Sequence, residues 1–115
     1  GYHQMNSLLD AAAQFSAAFI ASDVVAQGAM AALYERQIKI PEQLSLVGFD
    51  DVPLARFLSP PLTTVHVPAG EMAETASDIL IQKIANPEEP RQSAILPTEL
   101  VVRETSGAFN PLTGR

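Results

Sequence analysis

Three short apolar runs, 17–21 (AAFIA), 44–49 (LSLVGF) and 62–68 (LTTVHVP), constrain the fold more than any other feature of the chain. The first two lack regular alternation of apolar and polar residues, so a strand made from either has no face suited to water. Strands of that kind are stable when both faces are covered, as in a parallel sheet flanked by helices. The third run is rich in β-branched residues, which favour extended backbone.

Helical periodicity fills the spaces between these runs. Met5, Leu8, Leu9, Ala12 and Phe15 fall on one face and predict a first helix. A second is predicted from about Val24 to Arg36, with Val25, Ala26, Ala29, Met30 and Leu33 forming a packing face of mostly small residues. Ser22 or Asp23 would cap it, and Gly28 within it marks close packing. After Asp51 there is room for one or two helical turns before Pro60 and Pro61 forbid continuation. From Gly70 or Glu71 a further helix carries Met72, Ala76, Ile79, Leu80 and Ile84 inward, with Glu74, Asp78 and Gln82 outward. Two extended pieces follow, 94–97 (AILP) and 98–104 (TELVVRE), and Pro97 between them marks a change of direction or of sheet. The tail, 107–115, has no periodicity and is expected to fray.

The order α-β-α-β-(short α)-β-α-β predicts an α/β protein with a parallel, doubly wound sheet. Right-handed crossovers in such a sheet bring the carboxyl ends of the strands to one edge, where ligands bind. Those ends here are Ser22-Asp23, Asp50-Asp51 and His66-Val67. Polar groups from three separated segments should therefore meet on one rim.

Composition restricts what that rim does. A chain of 115 residues, 47% hydrophobic, makes one domain at most. With 7 basic against 13 acidic residues the net charge is −6, the opposite of the basic footprint that neutralises phosphates, so this segment is not expected to grip DNA itself. Cysteine is absent, which excludes disulfides and thiolate zinc sites. Without an apolar span of membrane length or a basic leader followed by an apolar run, the chain reads as soluble and cytoplasmic.

The paired acids admit two chemistries. Asp50 and Asp51 could form a loop pair, one turning the chain and the other solvated, or one of them could hold a polar ligand. Asp50 is the better ligand group, because the sheet still fixes its backbone. Clustered aspartates at strand ends also suit Mg²⁺ in phosphoryl transfer, but that chemistry wants a lysine at a strand exit or a glycine-rich phosphate cradle, and the sequence has neither. Nucleophilic hydrolysis has no cysteine and no G-x-S-x-G elbow. The histidines are His3 and His66, and with no nucleophile to activate, His66 is read as lining a cleft or hinge. No catalytic residue, metal ligand or cofactor is assigned.

Segments 19–33 (FIASDVVAQGAMAAL), 40–65 (IPEQLSLVGFDDVPLARFLSPPLTTV) and 96–105 (LPTELVVRET) together resemble the carboxyl-terminal part of the LacI/GalR family of bacterial transcriptional regulators. The resemblance implies part of a type I periplasmic-binding-protein-like core spanning pieces of both lobes. Residues 1–65 would belong to the carboxyl-terminal lobe, 66–98 to a crossover segment of the amino-terminal lobe, and 99–106 to the return strand. It further implies a homodimer that binds a sugar, sugar acid or purine-like effector and meets operator DNA only through a helix-turn-helix headpiece absent from this chain. The family's effector contacts fall on Ser22, Asp50, His66 and Val67, and its dimer surface on Ala26, Gln27, Met30, Leu54, Phe57 and Leu58. Serine and valine replace the amide side chains many relatives carry at positions 22 and 67, so a polyol contact set does not transfer intact. The alternative within this fold is a periplasmic-type sugar-binding protein; a small α/β phosphatase or hydrolase is a more distant one.

Overall fold

The computed structural model describes residues 1–108. Its elements are α1 (Tyr2–Asp10), β1 (Ala17–Phe19), α2 (Asp23–Glu35), β2 (Ser45–Asp50), a short 3₁₀ helix (Pro53–Phe57), β3 (Thr63–His66), α3 (Ala69–Ala85) and β4 (Glu99–Val101). The strands form one sheet in the order β1-β2-β3-β4, with β1 parallel to β2 and β2 parallel to β3. This is the α/β order the apolar runs predict. No helix among the described residues is long and apolar enough to cross a membrane.

The chain divides into two compact units, Gly1–His66 together with the segment from Leu100 onward, and Val67–Glu99. In the first, α1 and α2 pack together with the sheet around Met5, Ala26, Ala29, Met30, Leu33, Leu44, Leu46 and Leu62, all buried. The small residues of α2 allow a close approach. A Cβ on Gly28 would sit 2.9 Å from the backbone nitrogen of Tyr2, so the helix glycine is a packing requirement. Arg36 braces the same pair of helices from outside, donating to Asp10 at 2.6 Å and to Asn6 at 2.9 Å.

Both helices of this unit end by one device. Ala12 and Gln37 take φ of 52° and 58°. The N–H groups of Ala12 and Ala13 then donate back to Leu9 and Leu8, and those of Gln37 and Ile38 to Tyr34 and Leu33. This pattern satisfies the last helical carbonyls. It corrects the predicted extent of α1: the helix stops at Asp10, Leu8 is exposed, and Phe15 reaches the core from the following loop. The apolar periodicity continued past the point where the backbone turned.

The carboxyl-terminal segment is more tightly integrated than its composition suggests. Leu46 lies beyond the start of β3, and its backbone N–H and carbonyl are taken by Thr105 through that residue's carbonyl and hydroxyl, at 2.7 and 2.8 Å. The same hydroxyl accepts from the N–H of Thr63 at 2.8 Å, so Thr105 stands in for a strand residue beside β2. Ser106 and Gly107 are held by Thr63 and Ser45, so the predicted tail does not begin to fray where expected; residues 109–115 lie outside the described part. Of the two predicted extended pieces only 99–101 is a strand, and 94–97 has no regular structure.

In the second unit α3 forms where its periodicity places it, but it buries none of its residues. Met72, Leu80 and Ile84, predicted to point inward, are exposed, because Val67–Glu99 contains no second layer for this helix to cover.

Candidate functional site

The rim is built by three strand exits of the first unit. β1 leads through Ile20 and Ala21 to Ser22, the N-cap position of α2. β2 ends at Asp50 and β3 at His66, and these two residues are partners in register, so the exits are level with each other. Ser22, Asp50 and His66 therefore lie on the carboxyl edge of one sheet, while Val67 opens the second unit.

Asp23 has a different task from the predicted cap. It is the first residue of α2, 1% exposed, and the Ser22 side chain makes no capping hydrogen bond. The Asp23 carboxylate instead accepts from the Thr64 hydroxyl at 2.6 Å and from the Val52 N–H at 3.0 Å. It ties the start of α2 to β3 and to the turn after β2. Its pull lies across β2, where only Gly48 leaves it room.

The two adjacent acids are distinguished by what holds them. Asp50 and Asp51 both have positive φ, 109° and 57°. Aspartate tolerates this region better than most residues, but φ near 109° lies outside the left-handed helical well and carries strain of about 1–3 kcal/mol. Asp51 accepts from Arg103 Nη2 at 2.6 Å and pairs with His66 Nδ1 at 3.1 Å. Desolvation pushes its carboxyl upward, but the Arg103 guanidinium, with help from His66, outweighs burial and holds it below the ordinary aspartate value. Among the described residues the Asp50 side chain, partly buried, forms no hydrogen bond or ion pair. One acid is neutralised within the protein and the other is available at the rim.

Arg103 and Thr105 escape sequence reasoning because they arrive from more than 50 residues along the chain, between 52 and 59 positions from their partners Asp51 and Leu46. The signal that existed was the segment RET at 103–105, polar residues directly after an apolar strand. The predicted dimer surface separates into two groups. Ala26 and Met30 are 0% and 7% exposed, their side chains being spent on the chain's own core, which removes them as surface residues. Gln27, Leu54 and Phe57 are exposed, Phe57 to 77%, and Leu58 is partly buried against the core. Among the described residues no group of three His, Cys, Asp or Glu side chains is arranged to hold a metal ion.

A mostly parallel α/β sheet whose carboxyl edge gathers Ser22, Asp50 and His66 places the chain in the doubly wound α/β class, in which ligands commonly bind at that edge. Residues 1–106 match the family described as the periplasmic binding protein-like domain. The ribose operon repressor of Haemophilus influenzae is 40% identical over 101 residues, which cover 88% of this chain and 30% of the repressor. A LacI family transcriptional regulator from Enterococcus faecium with bound ribose superposes with a TM-score of 0.82 at 28% identity, over 91% of this chain and 38% of that one. The lac repressor dimer bound to operator and the anti-inducer ONPF gives 0.84 at 28% identity, over 93% of this chain and 37% of that one. The chain belongs to the periplasmic binding protein-like domain family and corresponds to part of the core of LacI-family regulators. It spans about a third of the length of these relatives.

Proposed function

We propose that this chain is part of a DNA-binding transcriptional repressor and that its strand-end rim binds a small sugar effector. The observation that carries this reading is Asp50, strained in its backbone, with a carboxylate that has no partner among the described residues, set level with His66 at the carboxyl edge of the sheet. Backbone strain of this kind is retained where the surrounding structure enforces it, and it concentrates at ligand sites. A carboxylate so placed accepts from sugar hydroxyls, and charge-assisted bonds of that type are short and strong. Ser22 and His66 supply the hydroxyl and ring-nitrogen groups for orientation, and Val67 is the next residue along the chain, the first of the second unit. The ribose operon repressor and the ribose-bound regulator among the relatives support a pentose-sized ligand, for which D-ribose is the first probe.

The remaining assignments are of the same kind. We assign residues 1–65 and the return segment to the carboxyl-terminal lobe of the core and residues 66–98 to the amino-terminal lobe, with no catalytic role and a cytoplasmic location. The lac repressor relative is a dimer on its operator, which supports a homodimer here, with exposed Gln27, Leu54 and Phe57 on its contact surface. Effector binding would shift a balance between two arrangements of the whole repressor and so alter its hold on operator DNA.

The test uses the intact repressor. Asp50→Ala should abolish the heat of D-ribose binding and the release of operator while leaving operator binding in the absence of sugar. Unchanged titration by the variant would remove Asp50 from the site.

A further inference from the structure

We propose that Arg103 is a positioning residue for the effector contact, acting through Asp51 to aim Asp50. This rests on the reading of Asp50 as a ligand group and adds a mechanism for holding it.

The Asp50 side chain has no partner among the described residues, so its direction is set by the backbone on either side. On one side β2 is fixed to β3 by the pairing of Asp50 with His66. On the other the chain turns immediately through Asp51, at φ 57°, and the Asp51 carboxylate is where a second segment grips that turn. Arg103 supplies that hold. Its Nη2 donates to Asp51 at 2.6 Å, its Nη1 donates to the Leu62 carbonyl at 2.8 Å, and its backbone N–H donates to the Thr63 hydroxyl at 2.9 Å. The guanidinium thus spans the turn after β2 and the start of β3 with two rigidly related donors. The Arg103 and Asp51 side chains are 14% and 12% exposed, so water competes weakly for the pair.

The location of the cluster gives it a second property. His66, the other partner of Asp51, is the last residue of the first unit before the chain leaves it, and Arg103 lies three residues past Leu100, where the chain re-enters. One carboxylate therefore fastens the turn that presents Asp50 to the segments at both the exit and the return. The charged and titratable groups around Asp51 are Arg103 from the return segment, His66 from β3 and Asp50 beside it. Lysine cannot replace the arginine, because a single ammonium does not reach two acceptors at the fixed spacing of a guanidinium fork.

The experiment compares the intact wild-type repressor with Arg103→Lys, Arg103→Gln and Asp50→Ala. It measures the Kd for D-ribose by calorimetry, the thermal midpoint, and amide hydrogen exchange across residues 47–52. A positioning role requires both Arg103 variants to raise Kd by about tenfold or more, as loss of a charge-assisted hydrogen bond would. It also requires faster exchange at Val52, whose N–H donates to Asp23, with Val47 unchanged. A lowered thermal midpoint with Kd within about twofold of wild type and unchanged exchange at Val52 would mean that Arg103 is merely structural, and the proposal falls. If Asp50→Ala binds D-ribose like wild type, or wild type does not bind it, the effector reading fails instead. The exchange measurement then still decides whether Arg103 holds the turn.

Discussion

A Cβ on Gly48 would lie 2.2 Å from Oδ1 of Asp23, so the glycine in the middle of β2 and the buried acid at the start of α2 occupy one space between them. Neither can be understood alone. The carboxylate cannot retreat, because Thr64 and Val52 hold both its oxygens, and the same Cβ would also meet Leu62 Cδ2 at 2.9 Å.

Gly48→Ala should therefore destabilise the protein by about 2–4 kcal/mol, well beyond the usual effect of filling a strand glycine. Urea denaturation followed by circular dichroism measures it. A change under about 0.5 kcal/mol would show that Asp23 has another place to go.

Ser22→Ala and Asp23→Asn should reverse the order expected of a helix cap. The Ser22 side chain makes no capping bond, so its loss should cost less than the roughly 1 kcal/mol typical of an N-cap serine. Asparagine at 23 keeps one acceptor for Thr64 but turns an amide donor toward the Val52 N–H, leaving both donors unsatisfied at about 1–3 kcal/mol. Denaturation of the two single variants under the same conditions checks the ranking.

Thr105→Val should be more harmful than its near-equal volume suggests. The hydroxyl serves the Thr63 N–H and the Leu46 carbonyl at once in a fully buried position, and a methyl group leaves both without a partner. The expected loss is about 2–4 kcal/mol, with faster amide exchange at Thr63 as its local signature.

Acid should weaken the protein partly through Asp51. Because its folded pKa is held below the ordinary value, the pair with Arg103 contributes fully above about pH 4 and is lost as the pH falls through the folded pKa. Asp51→Asn should thus be less stable than wild type at pH 7, and the gap should narrow below about pH 4. A gap constant between pH 7 and pH 2.5 would contradict this assignment.

The element order was legible because apolar runs without alternation and apolar residues at helical spacing report burial directly. β1 to β3, α2 and α3 all lie where those patterns put them. The same logic overshot at α1, where Leu8 and Phe15 fit the periodicity but Ala12 turns the backbone, and an apolar pattern is blind to a turn made by alanine. It also assigned α3 an inward face that its own unit covers only in part, at Ile79, because periodicity records that a face was meant for burial and not what buries it.

Sequence alone determined the α/β sheet, the shared edge of its three strand exits and the candidate residues Ser22, Asp50 and His66, because strand period and chain order place side chains without knowledge of distant partners. Only the tertiary structure decided which of two neighbouring aspartates was free. That choice depends on Arg103, brought to Asp51 from across the sheet at 2.6 Å, and a contact between residues so far apart in the chain leaves no periodic trace. The same holds for Asp23, which looked like a cap until Thr64, Val52 and Gly48 gathered around it.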